Sequence, residues 1–190
     1  MKRNSAKIKG FTLLEALVTV AMMGLIGLKS LPMMSDLVAK ERRVTEINKV
    51  INMIRYTRNQ ALTKQKIVTF CPSSDSNQCS TNWNLPFMVF VDLDNNRIRS
   101  TNEPLLKRFA AIPKQDKLTW KAFRYRNALQ FLPFGMTNHQ NGTFLYCPFK
   151  TRHDLSKGII MTKLGRTRLS KDRNGDGFQQ GASNRTLTCI

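Results

Sequence analysis

The residues that could do chemistry lie near the carboxyl end of the chain, in a short and strongly basic segment. Gly165-Arg166-Thr167-Arg168 places two arginines one residue apart, directly after a glycine. If the segment is extended, Arg166 and Arg168 point to the same side, because side chains alternate along a strand. Two guanidinium groups on one face can hold adjacent phosphate groups, and Gly165 allows a tight turn or a close backbone approach. The spacing therefore favours phosphate binding.

The charge around this segment also favours an anionic partner. Lys163, Lys171 and Arg173 flank the arginine pair, and within residues 163–173 only Asp172 opposes them. The whole chain has 31 basic and 12 acidic residues, which gives a formal net charge of +19. A net charge of +15 remains when the four basic residues among the first ten are left out. This charge favours polyanions or anionic surfaces as partners, and a basic, solvated surface without a ligand is the alternative.

Other polar clusters are interpreted as turns. The segment 172–177 resembles the start of a calcium-binding loop, but Ser183 stands where such a loop needs a bidentate glutamate. Asp92, Asp94 and Asn96 are interpreted as a polar turn after a strand. The two histidines lie in polar loops, and no nucleophile, phosphate-cradling glycine loop or metal-binding cluster accompanies them. We therefore predict no catalytic activity, no cofactor and no metal.

Four cysteines indicate disulfide bonds, because an even number in an exported domain is typical of an oxidising compartment. Three pairings are possible. We favour Cys71–Cys79, which closes a short polar loop, and Cys147–Cys189, which ties the carboxyl-terminal tail to a strand. A zinc site is the alternative, but no Cys-x-x-Cys pair and no nearby histidine support it.

The amino-terminal part of the chain is an apolar segment that follows a basic leader. Residues 16–28 carry no charge, and residues 11–34 supply about the 20 apolar residues that a membrane-spanning helix needs. Glu15 lies just inside this segment, where an unpaired carboxylate is costly. A secretory signal would need a better cleavage site than residues 30–32 offer, and a plain membrane anchor leaves Glu15 unexplained. A processed anchor is the third interpretation.

The elements that would position the basic segment follow from residue 35 onward. An amphipathic pattern up to about residue 66 predicts the second half of one long helix, packed on a core. Its apolar stripe consists of Leu37, Val44, Ile47, Ile51, Ile54, Ala61 and Leu62. Beyond Lys66 the period changes to two, which predicts strands at 67–71, 87–91, 105–112, 118–123, 129–135, 143–147 and 158–162. The predicted fold class is α+β, a long N-terminal helix on an antiparallel β-sheet head.

The stretch from Gly10 to Glu15, Gly-Phe-Thr-Leu-Leu-Glu, resembles the processing site of type IV prepilins and pseudopilins. The resemblance implies that a prepilin peptidase cuts after Gly10 and that the new N-terminal Phe11 is methylated. Glu15 would then pair with the free amine of a neighbouring pilin subunit. The implied domains are a leader at 1–10, a transmembrane and filament-core helix at 11–34, and a helix-plus-sheet head at 35–190. The implied location is the bacterial inner membrane, single-pass with the head in the periplasm, and then the pilus at the cell surface.

A series of residues over nearly the whole chain resembles the GspH/FimT family of minor pilins and minor pseudopilins, and its FimT branch most of all. The series consists of Phe70-Cys71-Pro72, Cys79, Trp83, Val89-Phe90-Val91-Asp92, Phe134-Gly135, Gly142-Thr143-Phe144 with Cys147, and Gly165-Arg166-Thr167-Arg168. The family has a type IV pilin-like fold. In the FimT branch a Gly-Arg-x-Arg motif belongs to DNA binding, so the resemblance implies this role for Gly165, Arg166 and Arg168. Lys163, Lys171 and Arg173 are added to the site from charge proximity alone.

These observations predict a minor pilin that binds extracellular DNA and promotes its uptake in natural transformation. The contacts should be mainly to phosphate, with little sequence preference and strong salt dependence. No aromatic platform for stacking bases is evident in the sequence, because only Phe178 is near the motif. The alternatives are a structural minor pseudopilin of a type II secretion system, a pilus-priming subunit without a ligand, and an adhesin for anionic surfaces.

Overall fold

The computed structural model describes residues 11–149 and 153–189, without the side chains of residues 25–33. The predicted leader, with Gly10 of the predicted processing site, lies outside the described residues. The chain divides into two compact units, Met1–Val38 and Ala39–Ile190. Helix α1 (Leu13–Lys64) begins in the first unit and ends in the second.

In the first unit, the start of helix α1 has a capping interaction. The Thr12 hydroxyl accepts a hydrogen bond from the backbone N–H of Glu15 at 3.2 Å, as expected for an N-cap residue. The side chains of Phe11 and Glu15 are exposed. Among the described residues, no helix combines the length and the apolarity that crossing a membrane requires. The anchor assigned to residues 11–34 stays a prediction.

In the second unit, helix α1 packs on the core with a face that only partly agrees with the predicted stripe. Ile47, Ile54 and Ala61 are buried as predicted, and Ile51 is half-buried. The prediction was wrong for Val44 and Leu62, and for Leu37 in the first unit, because all three are exposed. The core also takes up Val50, Met53 and Thr57. The buried face therefore follows steps of three and four residues through 47, 50, 54, 57 and 61, because this is the helical spacing that stays on one side.

The described residues form eight strands, arranged as two antiparallel sheets where the sequence analysis treated the strands as one. The strands are β1 (Val68–Pro72), β2 (Phe87–Val91), β3 (Leu105–Phe109), β4 (Lys117–Ala122), β5 (Leu129–Phe131), β6 (Gly142–Cys147), β7 (Lys157–Met161) and β8 (Thr167–Leu169). One sheet has the order β3-β2-β1-β5, and the other has the order β4-β6-β7-β8. Every residue of β2 is buried, which agrees with its continuous apolar sequence and its interior position. Strand β3 lies at an edge and is mostly exposed.

One hydrophobic cluster joins the helix and both sheets. Its centre is aromatic: the Trp120 and Phe144 rings stack with centroids 4.1 Å apart, and Trp83 meets Phe144 edge to face at 4.9 Å. Strand β7 contributes Ile159 and Met161 to this cluster. One face of the second sheet is therefore fixed against the core, and its ends carry the loops that could bind a partner.

Two disulfide bonds hold the second unit, and both predicted pairings are confirmed. Cys71 and Cys79 are joined with Cα atoms 5.5 Å apart, and Cys147 and Cys189 with Cα atoms 5.9 Å apart. The second bond brings the tail onto β6, where Leu187 packs beside Leu145. It encloses the arginine segment within a loop of the chain, because residues 148–188 lie between the two cysteines.

Candidate nucleic-acid interface

The hairpin formed by β7 and β8 carries the predicted arginine pair, with Arg166 in the turn at 162–166, called the arginine turn below, and Arg168 in β8. Gly165 has φ +73°, a left-handed conformation, and its N–H donates to the Thr162 carbonyl at 3.0 Å. The Thr162 N–H in turn donates to the Arg166 carbonyl at 3.0 Å, which closes the turn. A Cβ atom at position 165 would lie 2.6 Å from the carbonyl oxygen of Gly135. Position 165 therefore requires glycine for two reasons: its positive φ and the close approach of the backbone at Gly135.

A second turn, around Gly135, contacts the arginine turn and is itself bound by helix α1. Gly135 has φ +79°, and its carbonyl accepts a hydrogen bond from Arg58 Nε of helix α1 at 2.9 Å. The Thr137 N–H donates to the carbonyl of Lys163 at 2.9 Å, and the Thr137 hydroxyl lies between the carbonyls of Gln140 at 2.5 Å and Lys163 at 3.1 Å. The backbone of the arginine turn is thus hydrogen-bonded to this second turn, and the second turn is in turn hydrogen-bonded to helix α1.

Arg58, Gly135 and Thr137 support the site, although no sequence pattern predicts a site role for them. Gly135 was noticed only as part of the family resemblance. The signal for Arg58 was its position beside the apolar stripe of the helix, where a solvated arginine is less expected. No short-range pattern marks Thr137, because its partner Lys163 is 26 residues away.

The side chains of Arg166 and Arg168 are both exposed. Arg168 lies opposite Ile160 in the sheet, while its neighbours Thr167 and Leu169 lie opposite Met161 and Ile159 of the core cluster. Since directly opposed residues share a face, Arg168 belongs to the face turned away from that cluster. Within the described part of the chain, no residue pairs with either guanidinium group.

The other predicted basic residues lie at different distances along the hairpin. Lys163 is exposed in the same turn as Arg166. Lys171 and Arg173 follow β8 away from the turn, so that Lys171 lies about 16 Å from Arg166 at the rise of an extended strand. Arg173 also donates a hydrogen bond to the side-chain oxygen of Asn184 at 3.1 Å. Lys163, Arg166 and Arg168 therefore form the compact part of the site, and Lys171 and Arg173 form an extension.

The electrostatic effect of this basic surface is visible in one titratable group. The pKa of Lys157 in β7 is lowered, first by burial and then by the positive charges of Arg43 and Lys171. Its Nζ donates to the side-chain oxygen of Gln179 at 2.8 Å. Like charges disfavour the protonated lysine, so an anion bound near Lys171 would relieve part of this repulsion.

The predicted polar turns are present. Asp172 accepts hydrogen bonds from the N–H groups of Gly175 and Gly177, both at 2.8 Å. The pKa of Asp176 is lowered, mainly by the hydrogen bond that its carboxylate accepts from the N–H of Phe178. In the 172–177 segment the carboxylates thus organise the turn itself.

The second acidic cluster includes a residue that the sequence analysis did not connect with it. Carboxylate oxygens of Asp92, Asp94 and Glu103 lie within 4.8 Å of one another. Glu103 is buried and accepts the N–H groups of Leu93 at 2.6 Å and Ser100 at 2.9 Å. Asp92 accepts the hydroxyl of Thr69 and backbone N–H groups, so these hydrogen bonds account for the cluster and we assign no metal to it.

Comparison with known proteins relates this fold to characterised ones. A family model described as type II transport protein GspH matches residues 46–165. Among solved structures, the chain is similar to the crystal structure of the type IV minor pilin FimU from Pseudomonas aeruginosa (strain PAO1) in space group P21. The two sequences are 15% identical and the TM-score is 0.51, with 80% of this chain and 92% of that chain covered. The crystal structure of FimU from the same strain in space group P65 has 17% identity and a TM-score of 0.48, with 80% of this chain and 97% of that chain covered. Comparison with curated protein sequences gives no match.

The family match ends at Gly165, the first residue of the Gly-Arg-Thr-Arg segment. It includes the buried face of the helix, seven of the eight strands and the turn that holds Gly165. The similarity to FimU extends over more of the chain but shows the fold alone. The two arginines lie just beyond the family match, which covers β7 and the start of the turn but not β8.

Proposed function

Because the chain belongs to the GspH family and has the fold of a type IV minor pilin, we propose that it is a minor pilin that binds extracellular DNA and promotes DNA uptake in natural transformation. In this proposal the β7–β8 hairpin is the DNA-binding element. Arg166 and Arg168 bind phosphate groups, Gly165 shapes the turn, and Lys163, Lys171 and Arg173 add positive charge around it.

One observation carries the proposal: two exposed arginines without a described partner, Arg166 in the turn and Arg168 in β8, lie on a hairpin whose backbone is fixed. The Gly135–Gly165 approach and the Thr137 hydrogen bonds hold the turn before any ligand arrives. A preformed site loses less conformational entropy on binding than a flexible one. Unpaired guanidinium groups on such a turn gain charge-assisted hydrogen bonds from phosphate without breaking an internal ion pair.

The form of the site favours contacts with the backbone of DNA over contacts with bases. A short turn at the end of a sheet presents a few cations and no helix or strand long enough to enter the major groove. Binding should therefore depend little on sequence, and it should weaken steeply as salt increases.

Assembly into a pilus is the second part of the proposal, and it rests on the sequence at the start of the chain. Cleavage after Gly10 by a prepilin peptidase would give an N-terminal Phe11, which would be methylated. Glu15 would neutralise the amine of a neighbouring subunit in the filament core, where two unpaired charges would be costly. The protein would be held in the inner membrane with its head in the periplasm before it joins other pilin subunits.

The test of DNA binding is a fluorescence anisotropy titration of a labelled duplex with the purified full chain in a non-ionic detergent. Arg166→Gln with Arg168→Gln removes two phosphate contacts of about 1 kcal/mol each, which corresponds to a roughly 30-fold loss of affinity. The matched control is Arg55→Gln with Arg108→Gln, which removes the same charge from exposed positions on the helix and on β3. An equal loss in both variants would show that only net charge matters and would refute the assignment of the site.

A structural role in a type II secretion system is the alternative function, and the description of the matching family favours it. A subunit of that kind needs the fold and the assembly residues, but it does not need a ligand on the hairpin. If the wild-type chain does not bind duplex near physiological salt, while Glu15→Ala abolishes its incorporation into filaments, this alternative replaces the DNA-uptake proposal.

A further inference from the structure

The loop that follows β4 lies at the same end of the second sheet as the arginine turn. Ala122 pairs with Gly142, Gly142 pairs with Met161, and Met161 pairs with Thr167, so these four residues form one row across the sheet. Loop 123–128 begins directly after Ala122, and the arginine turn ends directly before Thr167. With strands about 4.8 Å apart, the two loops are separated by about 14 Å.

The sequence of this loop alternates aromatic and basic residues, Phe123-Arg124-Tyr125-Arg126, and all four are exposed. Phe123 is 75% exposed, the largest exposed fraction among the described aromatic residues of the second unit. A phenylalanine in water forgoes a burial worth roughly 1.5–3 kcal/mol, so a strongly exposed ring between cations is a candidate contact surface. Tyr125 is a weaker candidate, because the Arg97 guanidinium already covers its ring at 3.4 Å.

The backbone of the loop is fixed, so the exposed ring is not the result of an unsupported segment. Buried Gln140 donates through Nε2 to the carbonyls of Ala128 at 2.7 Å and Tyr125 at 3.3 Å. Trp83 Nε1 donates to the carbonyl of Arg126 at 2.8 Å. The loop is held by the core of the unit, and the side chains of residues 123–126 are exposed.

A second exposed aromatic residue lies beside the arginine turn itself. Phe134 is 62% exposed and directly precedes Gly135, whose carbonyl oxygen approaches Gly165. The same end of the unit thus presents Phe134 on the turn that approaches Gly165, and Phe123 with its arginine neighbours on a loop about 14 Å across the sheet.

We propose that this end of the second sheet binds unpaired nucleotides, with bases stacked on Phe123 and Phe134 and phosphates held by Arg124, Arg126 and the arginine turn. The proposal rests on the DNA-binding function proposed above and adds a ligand class to it. Exposed rings interleaved with cations are the combination that binds single strands, because every base has a face that can stack on an aromatic ring. In an intact duplex the bases are stacked on each other, so these rings contribute only where strands are open.

The experiment compares a labelled single-stranded oligothymidine with a labelled blunt duplex of the same length, using anisotropy and the purified full chain in a non-ionic detergent. The test variant is Phe123→Leu with Phe134→Leu, which keeps apolar side chains and removes the rings. Phe178→Leu is the control, because Phe178 is exposed in the turn beyond β8. Thermal melting establishes that each variant has the stability of the wild type.

The expected result is a loss of at least about fivefold per ring in affinity for the single strand, with duplex affinity within about twofold of wild type and no change for Phe178→Leu. Equal losses on both DNAs, or no loss on either, would overturn the proposal. A wild type that quenches the fluorescence of a 2-aminopurine base in the bound single strand gives independent support, and unchanged fluorescence of the bound base counts against it.

Comparing the arginine variant with the phenylalanine variant distinguishes failure of the stacking proposal from failure of the DNA-binding proposal. If Arg166→Gln with Arg168→Gln abolishes binding of both DNAs while the phenylalanine variant binds like wild type, only the stacking proposal fails. If the wild type binds neither DNA, both proposals fail.

Discussion

Replacing Gly165 with alanine tests whether the arginine turn is built on the close approach of two backbones. The φ of +73° costs an alanine about 1–2 kcal/mol. The new Cβ would also lie 2.6 Å from the Gly135 carbonyl oxygen, a backbone atom that cannot rotate away. Relieving such an overlap costs about 1–3 kcal/mol. We expect a total loss of about 3 kcal/mol in the free energy of unfolding.

Gly175 offers a matched control for this substitution. Its φ is +77°, but a Cβ there would have no heavy atom within 4 Å. Gly175→Ala should therefore lower the free energy of unfolding only by the cost of the positive φ, about 1.5 kcal/mol. Thermal melting followed by circular dichroism would show a decrease in Tm of about 6–12 °C for Gly165→Ala and about 3–6 °C for Gly175→Ala. If the two variants melt at the same temperature, the contact between the glycines does not support the turn.

Three further outcomes are expected from melting or unfolding experiments. Cys147→Ser with Cys189→Ser opens a loop with a sequence separation of 42, which should lower stability by about 4 kcal/mol; a change below about 1 kcal/mol would contradict the stapling role. Thr137→Val removes the buried hydroxyl that lies within hydrogen-bond distance of the Gln140 and Lys163 carbonyls and should cost about 1–3 kcal/mol, and wild-type stability would contradict this. Burial and the hydrogen bond to Asp116 raise the pKa of Tyr146 above its ordinary 10.0, so stability should fall as pH rises past about 10, where the unfolded tyrosine ionises and the folded one does not. Tyr146→Phe should flatten this part of the pH profile, and an unchanged slope would contradict the assignment.

Much of the fold could be predicted because local patterns carry it. The apolar runs of β2, β6 and β7 identify strands without knowledge of their partners. Strand β8 was considered only as a conditional extended segment, because Thr167-Arg168-Leu169 is short and charged. The division into two sheets was not predicted, because strand partners are fixed by packing in three dimensions and not by periodicity.

The candidate site could be predicted in its charges but not in its support. Gly165 and the two arginines are adjacent in sequence, so their spacing alone indicates a turn with a cationic face. Arg58 and Gly135 reach the turn from 107 and 30 residues away, and no local pattern reveals such contacts. The position of Phe123 was missed for the same reason, since only the register of four strands brings it to the same end of the sheet.

The most direct test of the central claim is the salt dependence of duplex binding in wild type and in the Arg166→Gln, Arg168→Gln variant. Each lost phosphate contact should reduce the slope of log Kobs against log salt concentration by about 0.9. The account predicts steep salt dependence for the wild type, a slope smaller by about 2 for the variant, and lower affinity at every salt concentration. Identical slopes and affinities for the two proteins would contradict DNA binding through the hairpin.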